Sequence, residues 1–525
     1  MHIVFNLFIT FIVNSMVLSS HLGPVASETG QLKNVKTLTI DRMVHLAAPG
    51  PNDSRYAYVP FEVPSGATRM KVSYQYERAG GANTIDIGIF DARLTNSVSH
   101  PKGFRGWSGG RRSEFFISRD EATPGYLPGE IHAGTWQIIL GLYSVAPAGV
   151  DVSLKVELET GKGVPSTAER TITKSEGASS EPQRAKLNQG GRVGKSIRWW
   201  RGDLHMHTIH SDGDWTVAEL INSARERGLD FICITEHNTS SHHAEIAGAG
   251  STLRPLVLRG EEITTYGGHA NAFGLPAGTW IDFRVTPKDV ARISSVAAEV
   301  HKVGALISIN HPFGHCGGCS WGYDSAIQNF DAIEIWNGPW DLSDELAVKM
   351  WDKLLQSGQR ITAIASSDSH RSNSPLGQPT TSVGASNLSQ SSVLEAIRRG
   401  HVYLTSEIER PQVRFEAQPE SKPRLRRTIG DEVYAVAGET VLLLIVVNGT
   451  PPDATTSLIS NGEVIRNFAG QPTSPIRIKV EKDTYFRMEV RDKNKTMLAL
   501  TNPIFVKVKR TLRRFLARVP EASSF

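Results

Sequence analysis

Alternation of apolar and polar positions marks both ends of this chain. Between residues 35 and 159, segments such as VSYQYE and IDIGIF place apolar side chains at every second position, and turns rich in Gly, Pro and Asn separate them. This period is typical of half-buried antiparallel strands and predicts an N-terminal β-sandwich domain over residues 30–160. The same alternation returns in TVLLLIVVNG and YFRMEVRD. A second β-sandwich domain is therefore predicted over residues 407–508.

The region between them, residues 198–406, has a different rhythm. Short apolar runs such as FICITE, ALISIN and ITAIASS alternate with stretches of helical period at 290–303, 343–356 and 391–399. An earlier helix follows the first run, with Val217, Leu220, Ile221 and Ala224 on one face. Repeated alternation of strand and helix predicts an α/β fold in which parallel strands close into a (β/α) barrel.

Three further segments fall outside these domains. Residues 1–27 contain the apolar run IVFNLFITFIVNSMVL and predict a signal peptide, with an uncleaved membrane anchor as the alternative. Either interpretation places the folded part outside the cytoplasm, in the periplasm or secreted. Residues 161–197, rich in Gly, Ser, Lys and Gln, predict a linker. Residues 509–525 form a basic tail with helical spacing, expected to pack on its own protein or to contact a membrane surface weakly.

Composition narrows the class of partner. With 525 residues the chain is too long for one core, and a net charge of +4 is small for that length. No stripe of Lys and Arg interleaves with aromatic residues, so a nucleic-acid partner is not expected. These numbers do not indicate an oligomeric state. The segment 106–136, rich in Gly, Trp and Arg, is compatible with a loop over a neighbouring domain or with a solvent loop.

Histidines and carboxylates stand at the ends of the successive predicted strands of the central region. His205 and His207 are two positions apart on one strand, so both imidazoles face the same side. The candidate metal ligands are His205, His207, Asp212, His237, Glu262, His269, His311, Asp368 and His370. Because the C-terminal ends of barrel strands converge on one mouth, these side chains are expected to share one cavity.

Two neighbouring pairs require a choice, because adjacent strand residues point to opposite sides. His237 is preferred over Glu236, and Glu262 over Glu261. Imidazole mixed with carboxylate suits Zn, Mn or Fe rather than Ca or Mg. Nine ligands exceed the needs of one ion and predict two or three divalent metal ions.

In such a centre a carboxylate such as Glu262 or Asp368 is expected to bridge the ions. Water held between the ions would have a lowered pKa and act as a hydroxide nucleophile. The predicted catalytic residues are Asp368, His370, His237 and Arg371. Arg371 follows the D-x-H pair directly and could hold an anionic group, or could simply lie on the surface beside the mouth.

The motifs DLHMHT, SDG, TEHN, GEE, GGH, NHP and SDSH, in this order, resemble those of the PHP (polymerase and histidinol phosphatase) metal-dependent hydrolases over about 200 of the 525 residues. The resemblance implies a distorted (β/α)7 PHP barrel, flanked here by N-terminal and C-terminal β-sandwich domains. It also implies up to three bound ions, held by the nine ligands named above, and hydrolysis of phosphoesters or other esters. Glu236 stands where many members have Asp. Flanking segments such as ATPGYLPG and LALTNPIFV resemble the CehA/McbA subfamily, named for hydrolysis of an aryl carbamate.

The leading hypothesis is an exported hydrolase that uses metal-activated hydroxide to cleave an ester or carbamate in a small molecule. A phosphoesterase with the same metal site is the first alternative, and a non-catalytic cell-envelope binding protein is the second. Cationic side chains at the mouth would favour a phosphoester, whereas an aromatic wall would favour an uncharged ester. The candidates for that wall, with core packing as the other interpretation, are Trp321, Tyr323, Trp336 and Trp340.

Three cysteines are too few for a disulfide scaffold. Cys316 and Cys319 form a C-x-x-C directly after His311 and are expected to close a small disulfide at the mouth. A dedicated zinc site is disfavoured because two thiols do not complete four-coordination, and a redox role lacks a thioredoxin-like context. Cys233 lies in an apolar strand and is expected in the core.

Overall fold

The computed structural model describes residues 36–51, 53–94, 102–161, 197–248, 254–470 and 475–509. The predicted signal peptide, the basic tail beyond residue 509 and nearly all of the predicted linker lie outside these residues. Within the described ranges, no helix has both the length and the apolar character needed to cross a bilayer.

Two four-stranded antiparallel sheets form the N-terminal part, in the orders β1-β8-β3-β6 and β2-β7-β4-β5. The strands are β1 Lys36–Leu46, β2 Tyr56–Val63, β3 Ala67–Tyr76, β4 Thr84–Phe90, β5 Phe104–Gly109, β6 Glu114–Ser118, β7 Gly134–Ser144 and β8 Val150–Thr160. Every second residue of β8 is buried, and the inner faces of both sheets share one core with Trp136 at 0% exposure. This is the two-layer packing of a β-sandwich. The segment 106–136 is not simply a loop, because it contains β6 and most of β5.

A curved mixed sheet forms the centre of the molecule, with the order β15-β14-β13-β12-β11-β10-β9-β16-β17. Its strands are β9 Arg198–Asp203, β10 Phe231–Ile234, β11 Leu256–Thr265, β12 Gly268–Phe273, β13 Leu306–Ile309, β14 Ala332–Asn337, β15 Thr362–Ser366, β16 Thr380–Ala385 and β17 Val402–Thr405. Most of these strands are buried along their whole length, as expected for a sheet covered on both faces.

Helices cover the outer face of this sheet. They are α1 Val217–Glu226, α2 His243–Gly248, α3 Val290–Lys302, α4 Leu342–Gln356 and α5 Gln390–Arg398. The helices predicted over 290–303, 343–356 and 391–399 are confirmed as α3, α4 and α5. The buried residues of α1 are the four expected from the periodicity, and its first turn is closed by a capping box between Thr216 and Glu219.

The expectation of parallel strands is wrong at β16, which runs antiparallel to both β9 and β17, and at β12, which runs antiparallel to both β11 and β13. Only Tyr266 and Gly267 separate β11 from β12. A connection this short can join only antiparallel strands, since a parallel pair needs a crossover of a dozen or more residues. The neighbouring pairs β9–β10, β10–β11, β13–β14 and β14–β15 are parallel.

The segments that follow β9 and β15 meet just beyond the ends of these two strands. The His207 amide donates to the Ser369 carbonyl at 3.0 Å, and the Asp368 amide donates to the His205 carbonyl at 3.0 Å. Met206 and Ser369 form an isolated parallel bridge. The residues that follow β9 and β15 are thereby joined, and this brings the H-x-H and D-x-H motifs side by side.

The central sheet continues into the C-terminal part, because β17 pairs with β26. The remaining strands are β18 Gln412–Pro419, β19 Arg427–Thr428, β20 Glu432–Val436, β21 Glu439–Asn448, β22 Thr455–Ser460, β23 Glu463–Ala469, β24 Ile476–Val480, β25 Thr484–Arg491, β26 Met497–Thr501 and β27 Ile504–Lys509. Four of these strands form a second sheet, in the order β19-β18-β21-β24, which packs against the other C-terminal strands. The predicted boundary near residue 406 therefore falls within a continuous sheet.

Candidate metal centre

All nine predicted ligands lie at one end of the central sheet, around a cavity of about 680 Å³. Seven of them line the cavity, and His205 and His207 lie behind these with 0% exposure. The side chains fall into three groups in which the ligand atoms lie within 4.8 Å of one another, and the first two groups share His207. These groups are His205, His207 and Asp368; His207, Asp212, His237 and His370; and Glu262, His269 and His311.

Asp368 occupies the middle of the first group. Its Oδ1 lies 3.2 Å from Nε2 of both His205 and His207. Its Oδ2 lies 4.0 Å from Nε2 of His311. The two strand-borne imidazoles therefore face one carboxylate, as expected from their spacing of two residues.

Asp212 joins the second group from the loop after β9. Its Oδ1 lies 3.3 Å from Nε2 of His237 and 3.2 Å from Nε2 of His370. The rings of His237 and His370 both stack on that of His207, with centroids 4.2 Å and 4.1 Å from its centroid.

Glu262 connects all three groups from its position near the end of β11. Its Oε1 lies 3.3 Å from both His205 Nε2 and His269 Nδ1. Its Oε2 lies 2.6 Å from His237 Nδ1. A carboxylate placed between several imidazoles in this way has the position of a bridging ligand.

The electrostatics of the centre favour ionised carboxylates. Burial alone would raise the pKa of Asp368, but the neighbouring His205 and the other imidazoles hold it well below its usual range. The pKa of Glu262 is held well below its ordinary value in the same way, against the effect of burial. Burial and the charge of His370 and other imidazoles lower the pKa of His207 to about 3. Anionic carboxylates beside a neutral imidazole are the protonation states that bind metal.

The donor set fits divalent metal ions. Several buried atoms that face the centre have no hydrogen-bond partner among the described residues, namely His205 Nε2, His207 Nε2, Asp212 Oδ1 and Asp368 Oδ1. A buried polar atom without a partner costs free energy. A cluster of such atoms on imidazoles and carboxylates is expected where those side chains bind a metal ion. The residues present therefore suit Zn, Mn or Fe.

Two of these ligands have unusual backbone conformations. Asp368 has φ of 50° and His311 has φ of 24°. Non-glycine residues with positive φ carry strain that the surrounding structure must offset, and such residues concentrate at functional sites. Both lie directly after strands that pair with their neighbours, so the strand ends hold them in place.

Glu334 was missed by the sequence analysis. Its Oε1 lies 3.1 Å from His205 Nδ1, and its Oε2 accepts hydrogen bonds from the His311 amide and from Asn337 Nδ2, both at 3.0 Å. A carboxylate behind a ligating imidazole fixes its tautomer and orientation. A buried carboxylate within the apolar strand DAIEIW was the available signal, but it lies in mid-strand and not at a strand end.

The structure shows where the other member of each neighbouring pair, Glu236 beside His237 and Glu261 beside Glu262, lies. Glu236 points away from the cavity, accepting from Thr208 Oγ1 and from Ser211 Oγ, each at 2.5 Å. It therefore holds the loop that carries Asp212. Glu261 is also buried and accepts from the Ile281 amide at 2.8 Å, and burial raises its pKa well above the ordinary value.

The mouth of the cavity is built by both the central sheet and the N-terminal sandwich. Arg371 lines it together with Trp107, Arg111 and Tyr143 of the sandwich and Tyr266 of the β11–β12 turn. Of the two interpretations of Trp321, Tyr323, Trp336 and Trp340, the structure supports core packing, since none of the four lines this cavity. Trp321, Tyr323 and Trp336 are buried in the core of the central region, while Trp340 packs against it.

Direct hydrogen bonds hold the sandwich against the mouth. Tyr266 Oη donates to Asp86 Oδ2 at 2.7 Å. Arg112 donates to the Ile209 carbonyl at 2.5 Å, and the Gly125 amide donates to Ser241 Oγ at 3.1 Å. The loops that bear the candidate ligands therefore contact the sandwich itself.

Cys316 and Cys319 form a disulfide at the rim of the cavity, and Cys233 is a buried free cysteine. Both placements agree with the expectations from the sequence.

Comparison with known proteins identifies a PHP domain in residues 203–299 of the chain. Phosphoribosyl 1,2-cyclic phosphate 1,2-diphosphodiesterase of Eggerthella lenta is 31% identical over 64 residues, which cover 12% of this chain and 24% of the relative. The chain thus spans about a quarter of the length of that curated relative.

Solved structures give two further likenesses. A two-domain protein of Bacteroides vulgatus, named as containing a predicted PHP-like metal-dependent phosphoesterase, is 18% identical with a TM-score of 0.34, covering 60% of this chain and 98% of its own. An amidohydrolase of Chromobacterium violaceum is 16% identical with a TM-score of 0.27, covering 34% of this chain and 90% of its own.

Proposed function

We propose that this PHP-domain protein is a metal-dependent phosphoesterase whose centre is formed by the nine histidine and carboxylate ligands. The observation that carries the proposal is the presence of two exposed arginines, Arg111 and Arg371, in the same cavity as those ligands. Neither guanidinium forms an ion pair with a carboxylate in the described ranges of the chain. The relative from Eggerthella lenta, which is named for a cyclic phosphate ester, supports the same bond type.

The residues of the chain have separable roles in this proposal. Asp368, His205 and His207 would hold one ion, Asp212 with His237 and His370 a second, and the group around Glu262 a third. When bound, such ions supply Lewis-acid activation of water and of the attacked oxygen. His237 and His370 line the cavity and reach Asp212 through Nε2, so they would hold the second ion at the open side of the centre.

The arginines would bind the phosphoryl oxygens that do not react. A guanidinium presents paired N–H donors that match a phosphate in geometry and charge. Arg111 comes from the turn after β5, whereas Arg371 follows the D-x-H motif. The substrate would therefore lie between the N-terminal sandwich and the central sheet, with its organic group near Trp107 and Tyr143.

Hydrolysis of an uncharged ester or carbamate is the second candidate, because a specific feature favours it. Tyr266 and Tyr143 lie with ring centroids 6.1 Å apart at 70°, and both line the cavity. Such an arrangement suits a planar apolar group. A binding protein with a purely structural metal is less well supported, since structural sites are closed whereas this centre opens into a cavity.

A substrate panel on metal-reconstituted protein tests the proposal. We expect turnover of bis-p-nitrophenyl phosphate or p-nitrophenyl phosphate to exceed that of 1-naphthyl acetate and a 1-naphthyl carbamate. Arg371→Gln and Arg111→Gln should each raise KM for the phosphoester about tenfold, the value of one charge-assisted hydrogen bond. Neither should change KM for the naphthyl esters.

Two variants control this experiment. Arg119→Gln changes an exposed arginine of the same sandwich that does not line the cavity, and it should leave every KM unchanged. His205→Ala should abolish turnover of all substrates. Turnover of the naphthyl esters alone, unaffected by the arginine variants, would replace the phosphoesterase proposal with the ester and carbamate alternative.

We further propose that the protein acts outside the cytoplasm, exported by residues 1–27. The Cys316–Cys319 disulfide supports this location, because disulfides persist in oxidising compartments. Cell fractionation of the full chain tests it, and recovery of the uncleaved chain in the cytoplasmic fraction would contradict it.

A further inference from the structure

We propose that Cys316 and Cys319, once reduced, form a second metal site together with His269 at the rim of the cavity. This site would take a thiophilic divalent ion such as Zn²⁺ and is distinct in chemistry from the imidazole and carboxylate groups. The inference does not depend on the proposed hydrolase function, since it concerns metal binding alone.

The geometry brings three suitable ligand atoms together. One atom from each of His269, Cys316 and Cys319 lies within 4.8 Å of the others. The Sγ of Cys319 is 3.9 Å from Nδ1 of His269. Two cysteines separated by two residues are a common spacing for zinc, and the imidazole supplies the third ligand that the C-x-x-C lacks by itself.

The loop after β13 is already shaped for this arrangement. The Cys319 amide donates to the Cys316 carbonyl at 3.2 Å, and the Trp321 amide donates to the Pro312 carbonyl at 2.9 Å. Gly318 has φ of 95°, which a residue with a Cβ rarely adopts, so glycine permits the sharp turn. Cys319 is buried while Cys316 is exposed and lines the cavity. Metal and reductant can therefore reach the pair from the cavity.

His269 would be shared between two sites. Its Nδ1 lies 3.3 Å from Glu262 Oε1 on one side and 3.9 Å from Cys319 Sγ on the other. One nitrogen lone pair binds one ion at a time, so the two sites compete for this imidazole. With the disulfide closed, His269 is available only to the group that contains Glu262 and His311. Reduction would add the competing site.

The chemistry balances with an external thiol as reductant. Two thiols of the reductant break the Cys316–Cys319 S–S bond, each protein sulfur gains one electron and one proton, and the reductant leaves as its own disulfide. Binding of a divalent ion to both sulfurs then releases two protons. Thiolate ligands select zinc-like ions over Mg²⁺ or Ca²⁺.

Cobalt titration of the full-length protein tests the site, because Co²⁺ substitutes for Zn²⁺ and reports on sulfur ligands. One sample is left oxidised, and the other is treated with dithiothreitol and freed of it without oxygen. We expect a near-ultraviolet thiolate-to-cobalt charge-transfer band in the reduced protein alone. The imidazole and carboxylate groups contain no sulfur and cannot produce it.

Matched variants identify the ligands. Cys316→Ser and Cys319→Ser should each abolish the band, and His269→Gln should weaken cobalt binding at this site at least tenfold. Cys233→Ala removes the remaining thiol and should retain the band. Cys316 is exposed, so its variant carries the test if the others fold poorly. Absence of the band after reduction, or its persistence in Cys316→Ser, would overturn the inference.

Discussion

Replacement of Glu334 by glutamine should weaken metal binding although Glu334 itself is not a predicted ligand. The carboxylate faces three donors, which are His205 Nδ1 at 3.1 Å and, at 3.0 Å each, the His311 amide and Asn337 Nδ2. Glutamine has nearly the same shape but offers one acceptor oxygen and one NH₂ donor. It cannot satisfy both sides of this arrangement.

Either orientation of the new amide harms the centre. With its oxygen toward His205, the NH₂ group opposes the donors of His311 and Asn337. With its NH₂ group toward His205, Nδ1 must become the acceptor, and the ring proton then moves to Nε2. That nitrogen faces Asp368 and is the one available to a metal ion. The loss of such a supporting group typically reduces metal affinity 10–100-fold, which is about 1.4–2.7 kcal/mol.

Competition of Zn²⁺ between the protein and a chromophoric chelator measures this loss. Glu245→Gln is the matched control, because Glu245 also accepts from a histidine, His210 Nε2 at 2.8 Å, but belongs to none of the three ligand groups. Circular dichroism should show both variants folded. Zinc affinity within about twofold of the parent in Glu334→Gln would refute the orienting role assigned to this carboxylate.

Three further predictions concern removal of the metal and the stability of the folded protein. Removal of metal by a chelator should abolish hydrolysis and lower Tm, and added Zn²⁺ or Mn²⁺ should restore both, because an ion that binds only the folded state stabilises it; full activity after exhaustive chelation would contradict this. Asp86→Asn should change the pH dependence of stability, since burial raises the pKa of Asp86 from 3.8 to about 6. The folded protein retains the Asp86 proton over this range while the unfolded chain releases it, so the parent should lose on the order of 3 kcal/mol as pH rises from about 4 through 6. Urea melts at several pH values should show that the variant lacks this loss, and an identical pH profile would be contrary evidence. Arg487→Ala should cost about 3–5 kcal/mol in denaturant unfolding, because Arg487 is buried and its loss removes the ion pairs with Asp352 and Glu489, of which Glu489 keeps its second partner Arg491; a cost below about 1 kcal/mol would show that these ion pairs contribute little.

The candidate ligands could be predicted from sequence because each follows a local rule. A histidine pair at i and i+2 identifies its shared face without any tertiary information. A polar side chain directly after a buried strand identifies the end of the sheet to which it belongs. His205, His311 and Asp368 are far apart along the chain, yet each stands at such a strand end. Their assignment as metal ligands stays a prediction, although the structure places them within contact distance of one another.

Features that depend on contacts between distant parts of the chain could not be predicted from the sequence. Glu334 lies within a strand, and nothing local distinguishes it from an ordinary polar residue of that strand. The reversal of β12 follows from a two-residue turn at Tyr266, whereas the apolar pattern of that strand is the same in either direction. The tryptophans after the C-x-x-C are close in sequence to residues that line the cavity. They nevertheless pack into or against the core, since burial of a large aromatic ring contributes most to stability.

The way in which the cavity is built explains why its ligands could be predicted from sequence and its wall could not. Its floor consists of ligands on adjacent strand ends, so their relative positions are set by hydrogen bonds of one sheet. Its wall comes from the N-terminal sandwich, and contacts between the two units, such as Tyr266 Oη to Asp86 and the Phe104 ring stacked on that of Trp280, place Arg111 beside Arg371. Metal chemistry would thus be specified by the central sheet alone, while selection of the substrate would depend on the packing of the sandwich against it, where Phe104 and Trp107 of the sandwich join the central core. Substitutions at that interface should consequently change KM without changing metal affinity.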